Sequence, residues 1–320
     1  MPPTVAPLPD APLPAAVRST TVIEEHIMNP QPSIDAVHDV LVVGSGAMGT
    51  QIGAVFALAG YAVTTSDLDP DALERSRSEV HRRLGRLAEK GTRTREEVDG
   101  ALARMTYTTD SLEAARSADF VLEAAVERLD IKRRLFADLD EAAPEHAVLA
   151  TNSSTIPSSL LMDATGRPDR VCNMHFFNPA LVMACVEVVR NPQTSHATVE
   201  TTVELARRLG KQPVRLQHEV PGFVANRLLG ALRDEALRLE ADGVASFEDI
   251  DVAARTALGH PMGPFELMDL VGIDVSYLIR MAEHEQSGDP ADLPHPSVEA
   301  LYEQGRYGRK TGRGWYEYAG

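Results

Sequence analysis

Two groups of residues in this chain could do chemistry together: a glycine loop able to hold a diphosphate, and a histidine placed to take a proton. The loop is Gly44-Ser45-Gly46-Ala47-Met48-Gly49. Gly44 permits a tight turn, Gly46 lets the backbone approach a pyrophosphate, and Gly49 lets the following helix pack closely on the preceding strand. Met48 is counted with the loop as a cofactor contact. The helix that follows presents unpaired amides and the positive end of its dipole to the phosphates. Asp67 lies 23 residues after Gly44, at the end of the next predicted strand. A carboxylate there can accept hydrogen bonds from ribose hydroxyls and would repel a 2′-phosphate. Leu68, Asp69 and Pro70 offer no arginine to hold such a phosphate, so NAD is expected rather than NADP.

His175 stands out among ten histidines. It ends an apolar run and precedes Phe-Phe-Asn-Pro, which places it at a carboxyl strand edge, where α/β sheets bind ligands. Imidazole is tuned to exchange a hydroxyl proton near neutral pH. A single histidine on an apolar strand is more often a satisfied core residue, but Glu187 argues for chemistry. It stands in Cys-Val-Glu-Val-Val on the next predicted strand, a setting too apolar for an idle charge. A His–Glu pair would fix the imidazole tautomer and stabilise an imidazolium. The competing reading of Glu187 is a strand-edge charge turned to water. Asn152, Ser153, Ser154 and Asn226 add polar groups at other element ends. Taken alone, Ser154 reads as a turn or cap serine and Asn226 as a cap for the helix after Pro221.

The elements that must position these groups alternate. Val40–Val43 is a short buried strand, followed by the loop, a helix over 49–58 and a strand over 61–66. A long amphipathic helix is predicted over 71–90, and Thr94 starts another over 95–104. Strands follow at 118–125, 146–151, 170–177, 185–190 and 212–216, with helices at 131–140 and 194–209. This is the grammar of a doubly wound α/β sheet, a Rossmann-like domain over 37–219. From Pro221 only helical periodicity remains, over 223–241, 247–258 and 264–284, which predicts an all-helical C-terminal domain over 220–320. Residues 1–36 read as a Pro/Ala-rich tail, in which 19–28 is unassigned, and the fold is expected to begin at Asp39.

Composition bounds the rest. The 320 residues carry a net charge of −16, which argues against general nucleic-acid binding and against a membrane surface. No run reaches membrane-span length and no secretory leader is apparent, so a cytoplasmic enzyme is expected. The two cysteines, Cys172 and Cys185, suggest buried reduced thiols, and no metal-ligand spacing appears.

With these residues in view, the chain resembles the L-3-hydroxyacyl-CoA dehydrogenases, including the bacterial 3-hydroxybutyryl-CoA type, over about residues 38–318. The resemblance is carried by VVGSGAMG (42–49), TNSST (151–155), HFFNP (175–179), VEVV (186–189), PGFVANR (221–227), GHPMGPFEL (259–267) and GRKTGRGWY (308–316). It implies that His175 is the catalytic base and Glu187 its orienting partner. Ser154 would bond the reacting oxygen, Asn226 would help position substrate, and Asn178 would line the same site. Glu127, Lys132 and Lys310 match family residues near the cofactor. Without the resemblance, Lys132 and Lys310 would read as solvated lysines. A homodimer is implied, with the active site in the cleft between domains. The reaction would be NAD-dependent oxidation of an L-3-hydroxyacyl thioester, carried on coenzyme A, to the 3-oxoacyl thioester, and its reverse.

Two departures open an alternative. Ala184 replaces a lysine common in relatives, and Arg83 stands where the family often has a small polar residue. Eight basic side chains between Arg75 and Arg95 outnumber the neighbouring Glu74, Glu79 and Glu89. This face is either simply solvated, or holds a coenzyme A phosphate, or docks an acidic acyl-carrier protein bearing a glyceryl- or seryl-type group. A protein that binds NAD without turnover is a further reading, as is a dehydrogenase of hydroxy or sugar acids.

Overall fold

The strand Val40–Val43 is β1 (Asp39–Val43), and its alternation divides the whole domain. Val40 and Val42 face one core, Leu41 and Val43 the other. A strand apolar on both faces must be covered on both, as in parallel sheets. The computed structural model describes residues 31–318, so most of the tail, including 19–28, lies outside the described residues. The fold begins earlier than Asp39: Ile34–Ala36 form a 3-10 turn, Ile34 packs on the first core, and Asp35 pairs with Arg208 at 2.6 Å.

The chain continues through α1 (Ala47–Leu58), β2 (Ala62–Ser66), α2 (Pro70–Glu89), α3 (Arg95–Ala103), β3 (Met105–Thr108), α4 (Ser111–Ala115), β4 (Phe120–Glu123), α5 (Leu129–Ala142) and β5 (Val148–Thr151). Then come α6 (Ser159–Met162), β6 (Val171–Phe176), β7 (Cys185–Arg190), α7 (His196–Arg208) and β8 (Gln212–Leu216). The eight strands form one sheet in the order β3-β2-β1-β4-β5-β6-β7-β8. The first six run parallel, β7 is antiparallel to β6, and β8 is parallel to β7. Helices α1, α2, α3 and α7 bury one face of the sheet, and α4, α5 and α6 the other. The doubly wound reading is therefore the observed architecture. Thr94 caps α3 with a full capping box, as its position before Glu97 predicts.

Several short elements have no strong periodicity and were not predicted: β3, α4, α6 and α12 (Pro296–Glu303). β3 is a half-buried edge strand carrying two threonines, so its apolar pattern is weak. The helix expected over 264–284 is two helices, α10 (Pro264–Val271) and α11 (Ile273–Ser287), broken at Gly272. Gly272 has φ of +118°, a conformation that side-chain-bearing residues rarely adopt. With α8 (Ala225–Ala241), α9 (Phe247–Ala257) and α12, these helices enclose a separate core around Leu237, Phe265, Met268 and Ile273. The buried Asp269 carboxylate accepts from the Trp315 and Tyr316 amides, both at 2.9 Å, and fastens the C-terminal segment to α10. Among the described residues no helix is long and apolar enough to cross a membrane.

The turn from β1 into α1 is held by close packing. A Cβ on Gly44 would lie 2.6 Å from the Ala124 carbonyl oxygen, and one on Gly49 would run into the Gly44 carbonyl oxygen. Gly49→Ala is expected to cost about 1–3 kcal/mol of unfolding free energy, read by urea denaturation. Gly85→Ala, in α2 where the same atom meets open space, should instead gain about 0.5–1 kcal/mol. A neutral Gly49→Ala would contradict the packing.

Candidate active site

Because β1 to β6 are parallel, their carboxyl ends share one edge, and the singled-out residues gather there. The glycine loop leaves β1, Asp67 follows β2, Glu127 follows β4, the Asn152–Thr155 loop follows β5, and His175 and Asn178 close β6. Strand order reverses between β1 and β4, which opens a crevice at the glycine loop.

The loop fits a dinucleotide. Gly46 is the N-cap of α1, no side chain caps that helix, and a Cβ on Gly46 would enter open space. The first-turn amides of α1 and the room above Gly46 together form an anion cradle. Asp67 does more than await a ribose. Its Oδ2 accepts from the Ser45 amide and hydroxyl, both at 2.8 Å, and its Oδ1 from the Asp69 amide at 3.1 Å. Burial pushes this carboxyl up, but the bonds from Ser45 and Asp69 outweigh it and hold Asp67 below its ordinary value. The same carboxylate thus shapes the loop and supplies its negative charge. Met48 packs partly buried on the adjacent core. Gln51 of α1 donates to Asn178 Oδ1 at 3.2 Å, tying the nucleotide helix to the segment after β6.

Lys132 is not a solvated lysine. It is 1 % exposed and forms ion pairs with Glu123 and, at 3.2 Å, with Glu127. Glu127 also accepts from the Ser153 hydroxyl and, at 2.6 Å, from the Thr155 hydroxyl. Thr151 donates to Glu123 at 2.7 Å. This network joins the ends of β4 and β5 beside Ala124, the residue that crowds Gly44. Glu123 was missed, although a charge inside Phe-Val-Leu-Glu is the same signal that drew attention to Glu187. Lys310 lies elsewhere: it pairs with Asp274 at 2.6 Å and faces the Tyr307 ring, both within the helical part.

His175 and Glu187 are directly opposite in the β6–β7 register. His175 Nδ1 lies 2.9 Å from Glu187 Oε2. Glu187 is 0 % exposed, so it does not point to water. Its Oε1 accepts from the amides of Val224 and Ala225 at 3.0 and 2.8 Å, which begin α8. Burial pushes the carboxyl up, but His175 and these two amides outweigh burial and hold Glu187 below the usual carboxylate value. An ionised Glu187 can only accept, so Nδ1 carries the hydrogen and Nε2 is the nitrogen free to take a proton. The rings of Phe177 and Phe223 flank the imidazole at 4.5 and 5.6 Å.

Ser154 is half-buried in the loop after β5. Asn152 Oδ1 ties that loop to β6 by accepting from the Phe176 amide at 2.8 Å. Asn226 is exposed one residue beyond Ala225, and it does not cap α8, whose N-cap is Val224. Cys172 is buried, and burial raises its thiol to about 12, whereas Cys185 is only half-buried. Among the described residues no cluster could hold a metal ion. On the long helix, Arg75 pairs with Asp69 at 3.0 Å, and Arg82 and Arg83 both pair with Glu79 at 2.5 Å.

Similarity to known proteins extends along nearly the whole described chain. Residues 39–220 match the family model of the 3-hydroxyacyl-CoA dehydrogenase NAD-binding domain, and residues 222–318 that of the C-terminal domain of the same enzymes. The human mitochondrial hydroxyacyl-coenzyme A dehydrogenase is 40% identical over 288 residues, covering 88% of this chain and 91% of its own. The probable 3-hydroxybutyryl-CoA dehydrogenase of Bacillus subtilis is 38% identical, covering 88% and 98%. The crystal structure of FadB2 from M. tuberculosis superposes with a TM-score of 0.81 at 40% identity, over 89% of this chain and 100% of that one. The chain belongs to the 3-hydroxyacyl-CoA dehydrogenase family, oxidoreductases that use NAD.

Proposed function

We propose that this enzyme interconverts an L-3-hydroxyacyl thioester of coenzyme A and the 3-oxoacyl thioester, with His175 exchanging the proton of the C3 oxygen. The observation that carries this reading is the buried His175–Glu187 pair at 2.9 Å, with Glu187 saturated by the first amides of α8. NAD, when bound, supplies the acceptor for the C3 hydride. The chain's own residues do the rest. Gly44, Gly46 and Gly49, with the α1 amides, would hold the diphosphate, while Asp67 would face the ribose. The Glu127–Lys132 pair and Asn178 would border the cofactor. Nε2 of His175 accepts the hydroxyl proton during oxidation, and Glu187 stabilises the cation that results. In reduction the imidazolium returns that proton. Ser154, and Asn226 beyond it, would donate to the reacting oxygen as charge develops there. Lys310 sits with Asp274, so a cofactor role for it has no support from its contacts.

The same reading divides the chain near residue 220 into a nucleotide-binding and a helical part. It pairs the helical part with a second copy. Leu228, Leu229, Leu270, Leu278 and Ile279 leave apolar surface exposed on α8, α10 and α11. A dimeric mass by light scattering is expected, and a monomer at micromolar concentration would overturn the pairing.

The carrier-protein alternative has one observation behind it. Arg86 and Lys90 at the end of α2, and Arg95 at the start of α3, have no ion-pair partner among the described residues, while Arg75, Arg77, Arg82, Arg83 and Arg93 each lie against a carboxylate. Such unpaired cations suit a nucleotide phosphate equally well, so coenzyme A stays first. NADH oxidation with acetoacetyl-CoA, beside acetoacetyl on a carrier protein, separates the two. Turnover only on the carrier would replace the coenzyme A reading, and NADH binding with turnover of neither would leave a binding protein. His175→Ala should keep NADH affinity, read by fluorescence titration, and lose about 10²–10⁴-fold in turnover. Retained turnover would remove His175 as the base. Asp67→Ala should weaken both cofactors by freeing Ser45, yet shift the NADH-to-NADPH affinity ratio toward NADPH. An unmoved ratio would deny Asp67 its discriminating charge.

A further inference from the structure

Asn173 is a fully buried amide on β6, two residues before His175. Cys172, Met174 and Phe176 enter the core on one side of the sheet, so Asn173 and His175 share the other face. A buried carboxamide is costly unless every polar atom is used. Here Oδ1 accepts from the Ser158 amide at 2.8 Å, and Nδ2 donates to the carbonyls of Ser153 and Ile156 at 3.1 and 3.4 Å. These bonds grip the loop on both sides of Ser154.

The other hydroxyls of that loop are committed. Ser153 and Thr155 donate to Glu127, and Ser158 donates to Glu219 at 2.9 Å. Among the described residues, the Ser154 hydroxyl alone in this loop has no hydrogen-bond partner, so the loop presents it. Glu219 also accepts from the Ser159 amide at 2.9 Å. It lies in the link between β8 and α8, five residues before Val224, whose amide holds Glu187. The Ser154 loop and the His175–Glu187 pair are therefore fastened to one short segment.

We propose that Asn173, backed by Glu219, is a positioning residue that sets Ser154 at a fixed place relative to His175 for the reacting oxygen. It acts through Ser154 and touches neither substrate nor cofactor. The inference rests on the role given to Ser154 in the proposed function.

The test is a double-mutant cycle on kcat with acetoacetyl-CoA in the full chain. Asn173→Ala should lower kcat about tenfold to a hundredfold, the usual cost of misplacing a reacting group. NADH affinity and the pH profile of kcat, which follow other residues, should not move. In the Ser154→Ala background the same substitution should change kcat little, because the group it positions is gone. An equal fall in both backgrounds would overturn the inference and mark Asn173 as merely structural. Ser154→Ala with undiminished kcat would instead overturn the role of Ser154 itself. Should Asn173→Ala fail to fold, Glu219→Ala runs the same cycle from outside the core, with Glu219→Gln restoring the acceptor oxygen. Additive effects there, or no rescue by glutamine, would also overturn the inference.

Discussion

The buried carboxylate of Glu187 is the constraint around which the molecule is arranged. An ionised carboxylate with no access to water costs several kcal/mol unless its lone pairs are satisfied. Glu187 is satisfied by one imidazole N–H and two amides, and those partners come from the sheet and from the start of the helical part. The first requires β7 to lie antiparallel beside β6 with residue 187 opposite residue 175. The others require α8 to begin over the end of β7, with its positive dipole end on the charge. The chain reaches that position through a sharp bend. Phe223 has φ of +50°, a conformation that costs about 1–3 kcal/mol for a bulky residue. Its ring is buried against Val189 and Leu216, so packing holds the bend in place.

The nucleotide side repeats this logic with different partners. Glu123 ends β4 as a buried charge and is satisfied by Lys132, Thr151 and the Ala125 amide. The loop it braces presses on Gly44, so a structural ion pair shapes the turn proposed to hold a diphosphate. Asp67 performs a parallel service by tethering Ser45. Both sides of the candidate site thus use carboxylates at or just past strand ends to fix backbone, and Gly44 and Gly49 are needed because the packed backbone leaves no room for a Cβ atom at either.

Much of this was legible in the sequence because the site is built on strand ends, and strand ends are announced by apolar runs that stop. The glycine loop, Asp67 and the His175–Glu187 pairing all followed from such runs. Glu123 was equally legible by the rule applied to Glu187, but its partner Lys132 sits in a helix whose burial no local pattern reveals. Asn173 was hidden for another reason. An asparagine within Val-Cys-Asn-Met-His gives no hint that its amide will meet a loop that leaves the neighbouring strand. Gly272 divided a helix that hydropathy alone ran together. The grip of Asp67 on Ser45 depends on a backbone amide, and backbone amides carry no sequence signature.

The shared custody of Glu187 limits how this architecture can be recombined. A sheet domain separated from its helices would keep its cradle for a dinucleotide but leave the carboxylate beside His175 short of two donors. Its charge would then be disfavoured, and with it the imidazole tautomer that frees Nε2. A helical domain grafted from another protein would have to deliver two amides to the same oxygen, whatever its outer surface looked like. On the proposed reading, cofactor binding would be portable as a module, whereas proton exchange would belong to the junction and be inherited only with the link that spans it.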